Sequence, residues 1–161
     1  MPLGRVFSVG LNAIDATIVE VQANVGPGLP GFSVTGNVDS ALREARDRVR
    51  AAIMNCELSF PEHKVTVALA PAAVQKSGTG FDLAMALSIL AATKQLSPER
   101  VVGTVFLGEL SLDGRLRPVR GVLPALVEAR RRGYRRAVVP KANVAEAVLV
   151  NDLDVGGAGS L

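Results

Sequence analysis

The sequence predicts a single domain of mixed α/β fold, and three observations support this prediction. The chain has 161 residues, which is long enough for one domain with a substantial core. Apolar residues make up 48% and charged residues 20%, which is the balance of a globular protein. Segments typical of strands and helices follow one another in the order β-β-β-α-β-α-β-β-α-β-α-β, which indicates a mixed sheet with about four helices packed on it.

The first half of the chain begins with β-branched residues in partial alternation, which predict strands. A Gly/Pro-rich loop, Gly26–Gly31, separates the second strand from the third. Asp39 or Ser40 can cap the N-terminus of a helix that runs to about Asn55. The three strands are predicted at 5–11, 16–25 and 32–36. Apolar residues at helical spacing predict the buried stripe of the helix at Leu42, Ala45, Val49, Ala52 and Ile53.

The second half opens with a clear strand over 64–70 that ends at Pro71. The segment from Phe81 to about Thr93 is apolar almost all round, which predicts a buried helix. Asp113-Gly114 predicts a hairpin turn between strands. The remaining predictions are strands at 104–112, 115–119, 136–140 and 152–155, and helices at 122–132 and 142–149. We expect one domain over 1–156, and a frayed tail or the start of a linker over 157–161.

The composition limits which cellular compartments and which kinds of binding partner the sequence is compatible with. No apolar run is long enough to span a bilayer, and the first residues lack the pattern of a signal peptide. Cys56 is the only cysteine, so no intrachain disulfide can form, and we expect it to act as a small buried hydrophobe. These features fit a cytoplasmic protein. The net charge of +3 permits an acidic partner without requiring one.

The stretch "LAPAAVQKSGTGFDLAMAL", residues 69–87, places a lysine, two hydroxyls and two glycines before a predicted helix. The lysine precedes the glycines, so the stretch does not match a phosphate-binding P-loop, and Leu83 replaces the third glycine of a dinucleotide motif. One cysteine and one histidine make a zinc site improbable. His63 is expected at the surface or at the start of a strand, and no G-x-S-x-G accompanies it.

A serine–lysine dyad is the remaining nucleophilic option, because a neutral lysine can take the proton of a serine. Lys76 and Ser77 are neighbours in sequence, a spacing that rarely brings the amine onto the hydroxyl. Lys94 and Lys141 carry no local sign of burial. We expect Lys76 and the hydroxyls of Ser77 and Thr79 to lie at the surface. Gly78 and Gly80 would supply unusual backbone angles, and Asp82 would favour the helix dipole.

Four segments resemble one known family over essentially the whole chain. The segments are "GLPGFSVTGNVDSALREARDRVRAAI", "KVTVALAPAAVQKSGTGFDLAMALSILAA", "VFLGELSLDGRLRPVRGVLPALVEARRRG" and "AVVPKANVAEAVLV". They resemble the N-terminal domain of the magnesium-chelatase-like AAA+ ATPases of the YifB/ComM family. One departure is "GNVDSA", where the family usually reads closer to "GLPDAA".

The resemblance implies a Lon proteolytic-domain-like fold, which is similar also to the C-terminal domain of the RadA recombination protein. Lon carries its nucleophile in a loop similar to "KDGPSAG" and its lysine in a segment similar to "PVGGIKEK". In this sequence Gly80 falls where that serine would be, and Leu123 takes the place of the lysine. The resemblance therefore implies a scaffold without peptidase chemistry, so this chain is not expected to be an enzyme.

The family's full-length proteins carry a P-loop ATPase module after this domain, and this chain stops before any such motif. We therefore read it as an N-terminal piece of a longer ATPase. The resemblance assigns ATP and Mg²⁺ to that module, with no cofactor and no small-molecule substrate in this chain. It implies a homo-oligomeric ring that remodels DNA by branch migration or helicase action during natural transformation and recombination.

Arginines supply the bottom-up support for a DNA contact, because their planar forks donate in pairs to phosphate oxygens. The candidate DNA-binding residues are Arg43, Arg46, Arg50, Arg115, Arg117, Arg120, Arg130, Arg131, Arg132, Arg135 and Arg136. The alternatives are plain: Arg43 can pair with Asp47, and arginines at a helix C-terminus complement its dipole. Tyr134 is the only tyrosine, so stacking on single strands is predicted to be weak. A pure assembly domain, or a cryptic peptidase using Ser77 or Thr79 with Lys76, also stays open.

Overall fold

The computed structural model describes residues 3–12 and 15–161, and it confirms the mixed α/β prediction. Seven strands form one sheet in the order β3-β4-β2-β1-β5-β8-β9, and β6 and β7 form a separate hairpin. Within the large sheet β2 runs antiparallel to both of its neighbours, and the other pairings are parallel. The strands are β1 Leu3–Asn12, β2 Asp15–Gly26, β3 Gly31–Thr35, β4 Lys64–Ala70, β5 Thr104–Phe106, β6 Glu109–Leu110, β7 Leu116–Arg117, β8 Arg136–Pro140 and β9 Asp154–Ala158.

The helices agree with the predicted number once α1 and α2 are taken as one helix interrupted at Glu44. Asp39 caps it as predicted, because its carboxylate accepts a hydrogen bond from the Leu42 amide at 2.7 Å. All five residues of the predicted stripe, of which Leu42 is the first and Ile53 the last, are completely buried. The helices are α1 Ser40–Arg43, α2 Ala45–Asn55, α3 Asp82–Ala92, α4 Val122–Arg131 and α5 Val144–Ala147.

Two apolar cores lie on opposite faces of the sheet. On one face α2 and α3 pack over alternate residues of β1, β2 and β4, of which Val6, Val19 and Val67 are fully buried. On the other face α4 and α5 cover Val9, Val105 and the buried side of β8. The period-2 alternation of the strands supplies both faces, which is why one sheet can carry helices on two sides.

The predicted strand over 104–112 is wrong as one element, because the chain leaves the large sheet at Leu107-Gly108. The Gly108 amide donates to the Gly80 carbonyl at 3.0 Å, and the Gly108 carbonyl accepts from the Leu83 amide at 3.1 Å. These bonds tie residue 108 to the start of α3 and direct β6 into the hairpin. The Asp113-Gly114 turn is confirmed, and Asp113 Oδ1 accepts from the Arg115 amide at 3.0 Å.

The last residues of the chain differ from the frayed tail that the sequence suggested. β9 extends through Ala158, paired in parallel with β8. The Gly159 carbonyl accepts from the Leu116 amide at 2.9 Å, and the Leu161 amide donates to the Gly114 carbonyl at 2.8 Å. The chain end therefore lies against the hairpin, where Leu161 packs on the core.

Candidate functional site

A cleft of about 340 Å³ lies where the loop before α3 meets the loop before α4 and the end of β1. Ser77–Phe81 line one side of the cleft, and Pro118–Gly121 line the other. Glu109 and Arg120 contribute charged side chains to its wall. The stretch that stood out in the sequence therefore lines a concavity, and its chemistry depends on the groups at 77–80.

Gly80, which the resemblance places at the position of the Lon serine, has no side chain and borders open space. A Cβ built there would come no closer than 3.9 Å to any other side chain, the nearest atom being Val119 Cγ1. Gly80 also lies outside the left-handed region, so the expectation that it supplies an unusual backbone angle is wrong. That expectation is right for Gly78, whose φ is +87°.

Gly121 closes the other side of the cleft in a conformation that needs glycine. Its φ is +76°, and a Cβ there would lie 1.9 Å from Leu11 Cδ1. Gly121 is also the N-cap of α4, so the same residue sets the direction in which that helix begins. Leu123, which the resemblance places at the position of the Lon lysine, lies in the first turn of α4 with 36% of its surface exposed.

Lys76 is buried, so the prediction of a surface lysine is wrong. Only 2% of the residue is exposed. Its Nζ donates to the carbonyl oxygens of Pro71 and Val74, the latter at 2.6 Å. Its backbone amide donates to the Asn37 carbonyl, and its own carbonyl accepts from the Asp39 amide, so the loop is tied to the start of α1. Burial lowers the pKa of the ammonium.

The hydroxyls beside Lys76 are placed differently. Ser77 is exposed and Thr79 is half-buried. The Lys76 amine donates to two backbone carbonyls within its own loop, so it ties residues 71–76 together. A desolvated lysine with a lowered pKa is nevertheless the kind of group that a dyad would need.

Asp82 and Arg48 form an ion pair behind the cleft that sequence reasoning missed. Asp82 is the first residue of α3 and is completely buried. The Arg48 Nε lies 2.7 Å from Asp82 Oδ2, and Nη2 lies 3.1 Å from Oδ1, while the Leu110 amide donates to Oδ2 at 3.0 Å. Burial raises the pKa of Asp82, and the Arg48 and Leu110 hydrogen bonds oppose that rise. The signal available in the sequence was an arginine flanking the apolar stripe of α2 and an aspartate opening an apolar helix.

The arginines predicted to contact DNA are all exposed, and they fall on separate parts of the fold. Arg43, Arg46 and Arg50 lie on α1 and α2, on one face of the sheet, and Arg130, Arg131 and Arg132 lie at the end of α4, on the other. Arg115, Arg117 and Arg120 lie on or just after the hairpin, and Arg135 and Arg136 lie at the start of β8. They therefore do not form one surface.

Several of these arginines already have partners within the chain. Arg131 and Arg132 both bind Glu128, with Nε–O distances of 2.8 Å each. Arg130 donates to the Asn151 carbonyl, Arg117 to Ser111 Oγ, and Arg115 lies 3.5 Å from Asp113. The proposed Arg43–Asp47 pair is not among the ion pairs of the described residues.

Arg50 lies against an aromatic pair that the sequence did not reveal. Phe32 from β3 and Phe60 from the loop before β4 have ring centroids 5.4 Å apart at an angle of 40°. The Arg50 guanidinium carbon is 5.5 Å from the Phe60 centroid. The two phenylalanines are 28 positions apart in sequence (60 − 32), so only the folded chain brings them together.

The other singled-out residues carry less chemistry. His63 is exposed just before β4, as predicted, and Cys56 is a half-buried free thiol at the end of α2 rather than a fully buried one. Across residues 3–12 and 15–161, no group of His, Cys, Asp and Glu side chains is arranged to hold a metal ion. Within the same ranges, none of the helices has the length and apolar character needed to cross a bilayer.

Comparison with known proteins gives one family match and several relatives. Residues 19–143 match the family described as subunit ChlI of Mg-chelatase. Over all 161 of its residues the chain is 50% identical to an uncharacterized protein of Mycobacterium tuberculosis, and it covers 32% of that protein. It is 40% identical over 152 residues to competence protein ComM of Haemophilus influenzae, which covers 94% of this chain and 30% of that protein. A peroxisomal Lon protease homolog of Caenorhabditis elegans is 29% identical over 159 residues, or 94% of this chain and 20% of that protein. The chain thus spans about a third of the first two relatives.

Proposed function

Because the chain belongs to the Mg-chelatase ChlI-subunit family, we propose that it is the non-catalytic Lon-like domain of an AAA+ ATPase, serving ring assembly and DNA contact. We propose further that the parent protein remodels DNA by branch migration or helicase action, with ATP and Mg²⁺ bound in its ATPase module. The name of the Haemophilus relative refers to competence, which fits a role in DNA uptake and recombination.

The observation that carries the non-catalytic role is the glycine at position 80. A Lon-type reaction needs a hydroxyl at that point of the cleft and an amine beside it to take its proton. Gly80 has no side chain, Leu123 has no titratable group, and the Lys76 amine is bonded to the carbonyls of Pro71 and Val74. The remaining hydroxyls, Ser77 and Thr79, therefore lack a paired base in the described structure.

A turnover assay tests this part of the proposal. Casein and a fluorogenic peptide are incubated with the purified chain and with the Ser77→Ala/Thr79→Ala variant. We expect both proteins to show the same background rate. Turnover by the chain that disappears in the variant would establish a cryptic peptidase and would end the non-catalytic proposal.

DNA contact is supported by charge. The chain carries 18 lysine and arginine residues against 15 carboxylates, and the candidate arginines are exposed. Contacts of this kind give affinity that does not depend on sequence and that falls steeply with salt. Fluorescence anisotropy with labelled single-stranded and branched DNA, at 50 mM and 200 mM salt, is the test. Absence of binding at the lower salt concentration would remove the DNA role from this domain.

A pure assembly domain is the second candidate, and exposed apolar side chains favour it. Leu123 and Val127, one helical turn apart on α4, are 36% and 42% exposed. Val148 and Leu149 follow α5, which packs beside α4, and are 56% and 67% exposed. Apolar groups gathered on one side of a fold are typical of interfaces. Light scattering over a concentration series tests this role, and a strict monomer at high concentration would contradict it.

A further inference from the structure

A groove runs between α2 and the edge strand β3, on the far side of the sheet from α4. It encloses about 450 Å³, and the residues that define it are Pro30, Phe32, Arg50, Met54, Phe60 and Pro61. β3 is the outermost strand of the sheet, so one long side of the groove is open to solvent. We call this surface the α2–β3 groove.

The floor of the α2–β3 groove is aromatic. Phe32 and Phe60 are partly buried against the core and lie in tilted contact with each other. Arg50 lies over the Phe60 ring, and Met54, 55% exposed, lies one turn further along the helix. Arg50 contacts the Phe60 ring and is exposed, and a guanidinium plane, like an aromatic ring, is a surface on which a nucleic-acid base can stack.

Two cations, Arg46 and Lys64, lie beside the α2–β3 groove. Arg46 donates to the Phe32 carbonyl, so its guanidinium lies at the edge strand. Lys64 opens β4 and is paired in register with Gly31 at the end of the groove. Within the groove lining Glu62 balances Arg50, and Asp47 is exposed on α2, so the excess of positive charge comes from Arg46 and Lys64 beside the groove.

We propose that the α2–β3 groove binds single-stranded nucleic acid, with bases stacked on the Arg50 guanidinium and the adjoining Phe60 and Phe32 rings, and with phosphates held by Arg46 and Lys64. Proteins that bind single strands without sequence preference combine a basic groove with aromatic side chains on which successive bases stack. The groove has both components on neighbouring elements, whereas the paired arginines of α4 have only the charge. This inference rests on the proposed DNA contact and assigns it to one surface and one form of the nucleic acid.

The test is fluorescence anisotropy of labelled oligothymidylate with the chain and with single variants at two salt concentrations. We expect Arg50→Ala to weaken binding about tenfold, and Phe60→Leu to weaken it by a similar factor because stacking on the ring is lost. Arg50→Lys, which keeps the charge and loses the planar stack, should retain part of the affinity and a normal salt slope. The matched control is Arg100→Ala, an exposed arginine outside both the groove and the set of candidate DNA-binding residues, which should change the affinity less than twofold.

The outcomes separate this inference from the proposal beneath it. No binding of any DNA at low salt overturns both. Binding that Arg130→Ala or Arg117→Ala weakens and Arg50→Ala leaves intact overturns the groove and keeps the DNA role. Equal affinity for a duplex of the same length overturns the stacking component.

If an oligoglutamate peptide binds in an Arg50-dependent way and oligothymidylate does not, the occupant is an acidic protein segment instead. If Phe60→Leu lowers the thermal stability, its weaker binding no longer reports on stacking, and the test then rests on the variants of Arg50, which is exposed.

Discussion

Arg48 and Asp82 are joined by a bidentate ion pair that fastens the middle of α2 to the first residue of α3. The carboxylate is completely buried, while the Arg48 side chain keeps 19% of its surface exposed. The Leu110 amide is the third partner, so the pair also connects the hairpin to the helices. One aspartate thus connects α2, α3 and the hairpin, and the neighbouring residues Phe81 and Glu109 line the cleft.

We predict that Arg48→Met lowers the free energy of unfolding by about 3–5 kcal/mol, because it leaves a buried carboxylate without its countercharge. Urea denaturation at pH 7 measures the change. The double variant Arg48→Met/Asp82→Leu is the control, and it should be more stable than the single variant since both charges are gone. A loss below about 1 kcal/mol in the single variant would mean that the pair has little effect on stability.

The Arg48→Met variant should also gain an unusual pH dependence. Burial raises the pKa of Asp82, and removing the opposing guanidinium removes a restraint on that rise. The folded state then binds a proton that the unfolded state has released, so the free energy of unfolding falls as pH increases above the usual value of 3.8. Thermal melts from pH 4 to 7 check the sign. A variant that becomes more stable over this range relative to the unmodified chain would contradict the assignment.

Lys76→Met tests whether the buried lysine is a clamp for its loop. The substitution keeps most of the apolar length but removes the donor to the Pro71 and Val74 carbonyls. We expect a loss of about 1–3 kcal/mol in the free energy of unfolding, because two hydrogen bonds from a charged donor to the loop carbonyls are lost. The neighbouring change Ser77→Ala, at an exposed position, should have an effect below about 0.5 kcal/mol. Equal effects of the two substitutions would rule out the clamp.

The fold could be read from the sequence because periodic patterns encode it directly. The stripe from Leu42 to Ile53, the cap at Asp39 and the turn at Asp113-Gly114 are local signals, and each was confirmed. The contacts that define the site are not local. The amine of Lys76 is bound by the carbonyls of Pro71 and Val74, and no sequence pattern encodes the direction of those carbonyls. Phe32 meets Phe60 only after β3 and β4 have paired. The interruption at Gly108 likewise depends on bonds to the start of α3.

Glu128 gives the chain a stability contribution that depends on pH. Hydrogen bonds from Arg131 and Arg132 lower the pKa of its carboxyl to about 2 from the usual 4.5. The unfolded state therefore binds the proton first, so this contribution is complete above pH 4.5 and is lost as pH falls toward 2. We predict that Glu128→Gln lowers the urea midpoint at pH 6, and that this decrease becomes much smaller at pH 2.5. A shift that is the same at both pH values would show that the charge of Glu128 is not responsible.

Gly80 and Gly121 line the same cleft and should respond oppositely to a side chain. A Cβ at Gly80 meets only Val119 at 3.9 Å, and its backbone is not left-handed, so Gly80→Ala should change the free energy of unfolding by less than about 1 kcal/mol, with a gain as the favoured direction. Gly121→Ala forces an alanine to φ +76° against Leu11 and should cost about 1–3 kcal/mol. Urea denaturation of the two variants side by side measures both. If Gly80→Ala is the more damaging of the pair, then the glycine is needed for the conformation of the loop itself. The opposite ranking supports a cleft whose backbone can carry a side chain at position 80.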